Sequence, residues 1–152
     1  MLVRWLLAAV HLLAYGFALA SILRRTWALR RATVPAALRS VFRADTGWGL
    51  AALVLIVTGL MRVFGGFEKG SDYYLHEPLF HVKMTLLVAI LVLEVPSMLA
   101  LMRWRAALRK KAPPDLRRAR HYARLSVIQS VLLVLMVFAA AGMARGVGVA
   151  AG

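Results

Sequence analysis

The chain has no cysteine. That excludes disulfides, thiolate-held zinc, iron–sulfur clusters and thiol catalysis, and leaves His, Lys, Met, carboxylates or packing to hold any cofactor. Acid is almost as scarce, with 6 Asp and Glu against 20 Lys and Arg and a formal net charge of +14 over 152 residues. No repeat with a period of about 20–50 residues is visible, so repeat architectures are set aside. What is abundant is apolar surface, at 62% of residues and a mean hydropathy of +0.74. A soluble domain carries about 45–50%, so the expected solvent is the bilayer.

Four stretches approach the length of about 20 residues that hydrocarbon requires, at 3–23, 48–64, 79–102 and 125–144. The expected fold is an all-α integral membrane protein, one transmembrane domain over residues 1–152, built as an up-down four-helix bundle. The first stretch superficially resembles a secretory signal. It is longer than a signal core and has no clean small-residue cleavage site before Arg24-Arg25, so it reads as a retained helix.

Charge fixes the expected orientation. Loop 24–47 carries Arg24, Arg25, Arg30, Arg31, Arg39 and Arg43, and loop 103–124 is more basic still, whereas loop 65–78 holds Glu68, Asp72 and Glu77. By the positive-inside rule the basic loops are cytoplasmic and both termini lie outside, in a bacterial inner membrane. The pI near 11.7 raises nucleic acid as a partner, but these charges flank apolar spans instead of forming the basic face of a soluble module. Contact with membrane lipid headgroups is the expectation, and nucleic acid is not. Around Pro35 a short interfacial helix is expected, with Val34, Leu38, Val41 and Phe42 on its apolar side. Pro113-Pro114 should break the helix that leaves the third span.

Ionisable groups at membrane depth are costly and mark sites or pathways. Lys83 and Glu94 stand eleven residues apart, about 20° beyond three full turns, so they share a face of the third helix some 16 Å apart and each needs its own partner. His81 points about 200° away from Lys83, so the two cannot both look into one core. Glu94 lies at a depth similar to Gln129 and Ser130 on the fourth helix, where Ser126, Gln129, Ser130, Leu133 and Val137 form a stripe. A structural hydrogen bond there, or a proton-carrying carboxyl, are the two readings of Glu94. On the second helix Trp48, Ala52, Leu55, Gly59 and Arg62 fall in one stripe with Thr58 at its edge. Arg62 is either an interfacial anchor or a clamp for a carboxylate such as a propionate. On the first helix, His11 is followed one turn later by Tyr15 and faces the outer half that also holds His81 and Lys83. Imidazole commonly ligates haem iron in bundles.

Residues 43–105 resemble a small bacterial family of four-helix membrane proteins labelled a domain of unknown function. The matching words are Arg43-Ala44-Asp45-Thr46-Gly47-Trp48-Gly49, Thr58-Gly59-Leu60-Met61-Arg62, Tyr73-Tyr74-Leu75, Phe80-x-x-Lys83, and Pro96 followed by Arg103-Trp104-Arg105, with His11 matching as well. The layout is distantly similar to HemJ-type protoporphyrinogen oxidases, four-helix haem b proteins with a histidine in the first helix and a Leu-His-x-Lys segment opening the third. The counterparts are His11 and Leu79-Phe80-His81-Val82-Lys83. The Asn-Glu-x-Pro pattern of that family's last helix has no counterpart, and its late paired histidines are replaced at Val92–Pro96. The resemblance therefore implies haem binding more than protoporphyrinogen oxidation.

The expectation is a b-type haem or similar redox group in the outer half. His11 would be a metal ligand, His81 or Lys83 the opposing ligand or a proton donor, and Arg62 a propionate clamp. The rival is a non-enzymatic accessory subunit or small transporter, with a membrane-protein partner or a second copy, in which Glu94, Gln129 and Tyr15 are structural.

Overall fold

A computed structural model describes residues 1–65 and 76–147. Helix α1 spans Leu2–Arg30, a 3₁₀ turn Pro35–Ala37 leads into α2 (Leu38–Phe64), and α3 (Pro78–Arg109) and α4 (Ala119–Ala144) follow among the described residues. All four are long and apolar enough to cross a membrane. Within hydrocarbon every backbone N–H and C=O needs an internal partner, which a helix supplies. Leu12, Leu53, Val92 and Phe138 are among the large apolar side chains left exposed, as suits surfaces that meet lipid. The protein is a four-helix membrane bundle. Most of the expected acidic loop, including Tyr73 and Tyr74, lies outside the described residues.

The helices run beyond the apolar windows at the basic end, where the two arginine-rich connections lie. In α1 the buried stripe continues from Ala18 and Ile22 through Arg25 to Leu29, so Arg25, expected in loop 24–47, is an interior residue of the helix. The interfacial helix expected around Pro35 is also corrected. Leu38 and Val41 are buried in the first turns of α2 against Leu29, Leu101, Trp104 and Ala123, because this apolar face meets the other helices. Pro113-Pro114 falls in the non-helical link after α3, as the missing proline N–H dictates. Trp104 ties that link down by donating its indole N–H to the Asp115 carbonyl at 2.9 Å.

The interior is layered. Toward the acidic end, Tyr15, Ala18, Ile22, Trp48, Ile90, Leu133 and Met136 pack together. Toward the basic end the cluster of Leu29, Leu38, Val41, Leu101 and Trp104 does the same. Between these apolar layers sits a polar one, described below. Val137, expected on the interior stripe of α4, is 46% exposed, and Met136 is buried in its place.

Helix α1 packs closely on α2 and α4, and α4 on α3, whereas α2 and α3 are not a closely packed pair. Small residues draw the close pairs together. A Cβ added at Gly47 on α2 would come within 2.9 Å of Ser21 Oγ on α1, and one at Gly142 on α4 within 2.9 Å of Leu79 Cδ1 on α3. The gap left between α2 and α3 positions the site.

Candidate functional site

Arg25 is fully buried, and all five of its N–H groups have acceptors. Nε donates to Ser126 Oγ at 3.2 Å, Nη1 to Asp45 Oδ1 at 3.0 Å and Glu94 Oε1 at 2.7 Å, and Nη2 to Glu94 Oε2 and Gln129 Oε1, both at 2.8 Å. The two bonds to Glu94 make a bidentate fork, the strongest geometry a guanidinium offers a carboxylate. Glu94 Oε2 also accepts from Trp48 Nε1 at 3.1 Å and Gln129 Nε2 at 2.8 Å. Gln129 Nε2 further reaches the Ile90 carbonyl at 3.1 Å, which fixes which way its amide points. Asp45 Oδ2 accepts from Arg105 Nη2 at 3.1 Å.

Two arginines thus balance two carboxylates in one layer contributed by all four helices. Removing charges from water costs several kcal/mol per ion, which such a layer offsets only when its hydrogen bonds are complete. The expected bond between Glu94 and Gln129 is present. Arg25, Asp45 and Arg105 are the layer residues to which the sequence reading gave no site role.

Above this layer, toward the acidic end, the gap between α2 and α3 widens into a chamber of about 520 Å³ with mostly apolar walls. That lies within the range of roughly 300–1,000 Å³ usual for small-molecule sites. Glu94, Asp45 and Trp48 bound it at the polar layer, and Phe64 and Phe80 line it near the acidic end. His11 and Tyr15 from α1 and Lys83 from α3 bring polar groups to its wall. Tyr15 is only 9% exposed, yet its hydroxyl has no hydrogen-bond partner among the described residues. A buried hydroxyl without a partner loses the free energy of its hydration, so this one stands where a ligand acceptor would satisfy it.

His11 is buried with Nδ1 2.6 Å from Thr58 Oγ1. The Thr58 hydroxyl carries one proton and lies 2.6 Å from the Val54 carbonyl, one turn back on α2, to which it donates. It then accepts from His11, which places an imidazole proton on Nδ1. The Tyr15 ring meets the His11 ring edge-on with centroids 6.0 Å apart, and Gly59 leaves space beside it, since an added Cβ would lie 3.6 Å from His11 Cε1.

The sequence-predicted residues divide cleanly. His11, Tyr15, Lys83 and Glu94 line the chamber, together with Trp48, Ala52, Leu55 and Gly59 of the α2 stripe. Gln129 lies behind the wall in the charge layer. His81 is exposed on α3 and does not line the chamber, and neither does Arg62. Of the pair His81 and Lys83, it is therefore the lysine that shares a cavity with His11.

Residues 3–148 match the family described as predicted membrane protein, DUF2214. The match spans nearly the whole chain, and the chain belongs to that family. No curated protein and no solved structure matches it.

Proposed function

We propose that this DUF2214 member is a multi-pass protein of the bacterial cytoplasmic membrane. Its chamber between α2 and α3 holds a flat, mostly apolar redox group, a b-type haem, for electron transfer. One observation carries the reading: a buried histidine, oriented through Nδ1 by Thr58, lines a cofactor-sized apolar chamber. Metal-ligating histidines are characteristically oriented in this way by a hydrogen bond on the ring nitrogen that does not ligate. A haem bound there would supply one-electron chemistry at a potential set by its ligands and burial. His11 would hold the iron through its imidazole. Lys83, the only Lys or Arg on the described chamber wall, takes the role first expected of Arg62 and meets the carboxylates of the ligand. Tyr15 donates its hydroxyl to an acceptor on the bound group, and Leu55, Leu87 and Met136 exclude water.

The test is an absorption spectrum of the detergent-purified protein, oxidised and dithionite-reduced, with a pyridine haemochrome assay. A near-stoichiometric b-type signal is expected, lost in His11→Ala and kept in Arg103→Ala, whose side chain is exposed at the basic end. A colourless protein from haem-replete cells, or a full Soret band in His11→Ala, would overturn it.

A second reading, an accessory subunit or small transporter, is favoured by the charge layer. There Glu94 is held by Arg25, Trp48 and Gln129, the bonding of a structural carboxylate more than of a proton carrier. On that reading Glu94→Gln alters the set of co-purifying proteins and leaves no mark on any pigment. An unchanged set of partners would count against it.

A further inference from the structure

At the basic end the α2–α3 gap opens into a second groove, of about 660 Å³, lined by Arg39, Arg43, Arg105, Thr46, Phe42 and Leu108 among others and, among the described residues, by no carboxylate. Three guanidinium groups thus converge from two helices on one recess. Arg39 and Arg43 are exposed, and neither has an ion-pair partner among the described residues. Arg105 is held in place by stacking over the Phe42 ring at 4.9 Å and by one hydrogen bond to Asp45. That bond engages one of its five N–H donors and leaves the others for a ligand. Arg39 and Arg43 are four residues apart on α2, hence on one face, and Thr46 follows one turn later.

We infer that this groove binds the phosphate of an anionic phospholipid headgroup. Guanidinium forks match phosphate oxygens, and basic recesses between transmembrane helices at this end of a bundle are suited to such headgroups. The apolar surface beside the charges argues for a lipid over a free phosphate. Phe42 and Leu108 flank the arginines, and the groove lies along the same seam where α2 and α3 lack close packing. Acyl chains descending from a bound headgroup meet apolar side chains there, and the phosphate bridges arginines of both helices. The lipid acts as a strut across the loosely packed α2–α3 side.

The experiment is a titration of the detergent-purified full chain with phosphatidylglycerol, phosphatidylcholine or inorganic phosphate, read by bound lipid in native mass spectrometry and by the thermal unfolding midpoint. Phosphatidylglycerol is expected to bind and raise the midpoint, with phosphatidylcholine and inorganic phosphate far weaker. The double variant Arg39→Gln/Arg43→Gln is expected to bind phosphatidylglycerol at least about tenfold more weakly, with an unchanged circular dichroism spectrum. Arg117→Gln/Arg120→Gln, which removes the same charge from the other basic connection, is expected to bind as the parent does. Equal losses in the two double variants would reduce the groove to general surface charge and overturn the site. Inorganic phosphate matching the lipid would overturn its assignment to a membrane ligand.

Discussion

Arg25 is tolerated at membrane depth because each of its N–H groups has an acceptor. A lysine keeps the charge but carries three donors on one point, and it cannot fork across Glu94 while reaching Ser126, Asp45 and Gln129. Arg25→Lys is therefore expected to lower the thermal midpoint in detergent despite its formal conservatism. Arg25→Leu, which leaves Glu94 without its cation and Asp45 with Arg105 alone, should destabilise by about 3–5 kcal/mol. Arg25→Lys unfolding with the parent would show that charge alone holds the layer. His11 carries the corresponding prediction for the chamber: Thr58→Val removes the acceptor from Nδ1 and should weaken haem retention by about 10–100-fold, read as Soret absorbance after dilution. The sequence disclosed half of this chemistry. Glu94 and Gln129 were legible because a carboxylate and an amide at one depth need each other. Arg25 was not, because an arginine next to Arg24 at the end of an apolar run reads as a loop charge. The signal that finds it is the stripe His11, Ala14, Ala18, Ile22, Arg25, Leu29, which keeps helical spacing straight through the charge.

The helices touch where side chains are small, and that contact pattern decides which pairs pack closely. Gly47 faces Ser21, whereas a Cβ at Gly16 would meet nothing within 4 Å. Gly47→Ala is expected to cost roughly 1 kcal/mol or more through overpacking of the α1–α2 contact. Gly16→Ala, on an open face, should be neutral or stabilising by up to about 1 kcal/mol through helix propensity alone. Thermal unfolding of the two variants side by side checks the pair, and equal midpoints would place α1 and α2 further apart than described. At this scale the period of the helix made most of α2 readable. Trp48, Ala52, Leu55 and Gly59 all face the chamber, but the next step of the stripe falls on Val63 and not on Arg62. On α4 the shift is one position the other way, exchanging Val137 for Met136. Interior stripes on straight helices precess, so a residue assigned three or four turns from the anchor is the least secure.

The bundle as a whole departs from what its chain order suggests. Up-down connectivity makes α2 and α3 neighbours, and the apolar runs were enough to read four spans. Nothing in the local sequence marks the α2–α3 side as open, because the gap comes from the absence of close packing there while glycines tighten other contacts. Whether that gap is a packing void or a binding site has a direct test in Ala52→Leu, which places extra methylenes on the α2 wall of the chamber. Filling an apolar void without strain commonly stabilises a protein by about 0.5–2 kcal/mol, so the variant is expected to fold with an unchanged or raised midpoint. In a chamber that holds haem, the same methylenes compete with the ligand. Occupancy by the haemochrome assay should then fall roughly tenfold in affinity, equivalent to about 1.4 kcal/mol. Stabilisation together with lost pigment identifies the chamber as a site whose function, and not its stability, keeps it empty of side chains. Stabilisation with full pigment would put the haem elsewhere in the protein and leave the gap as a seam for lipid.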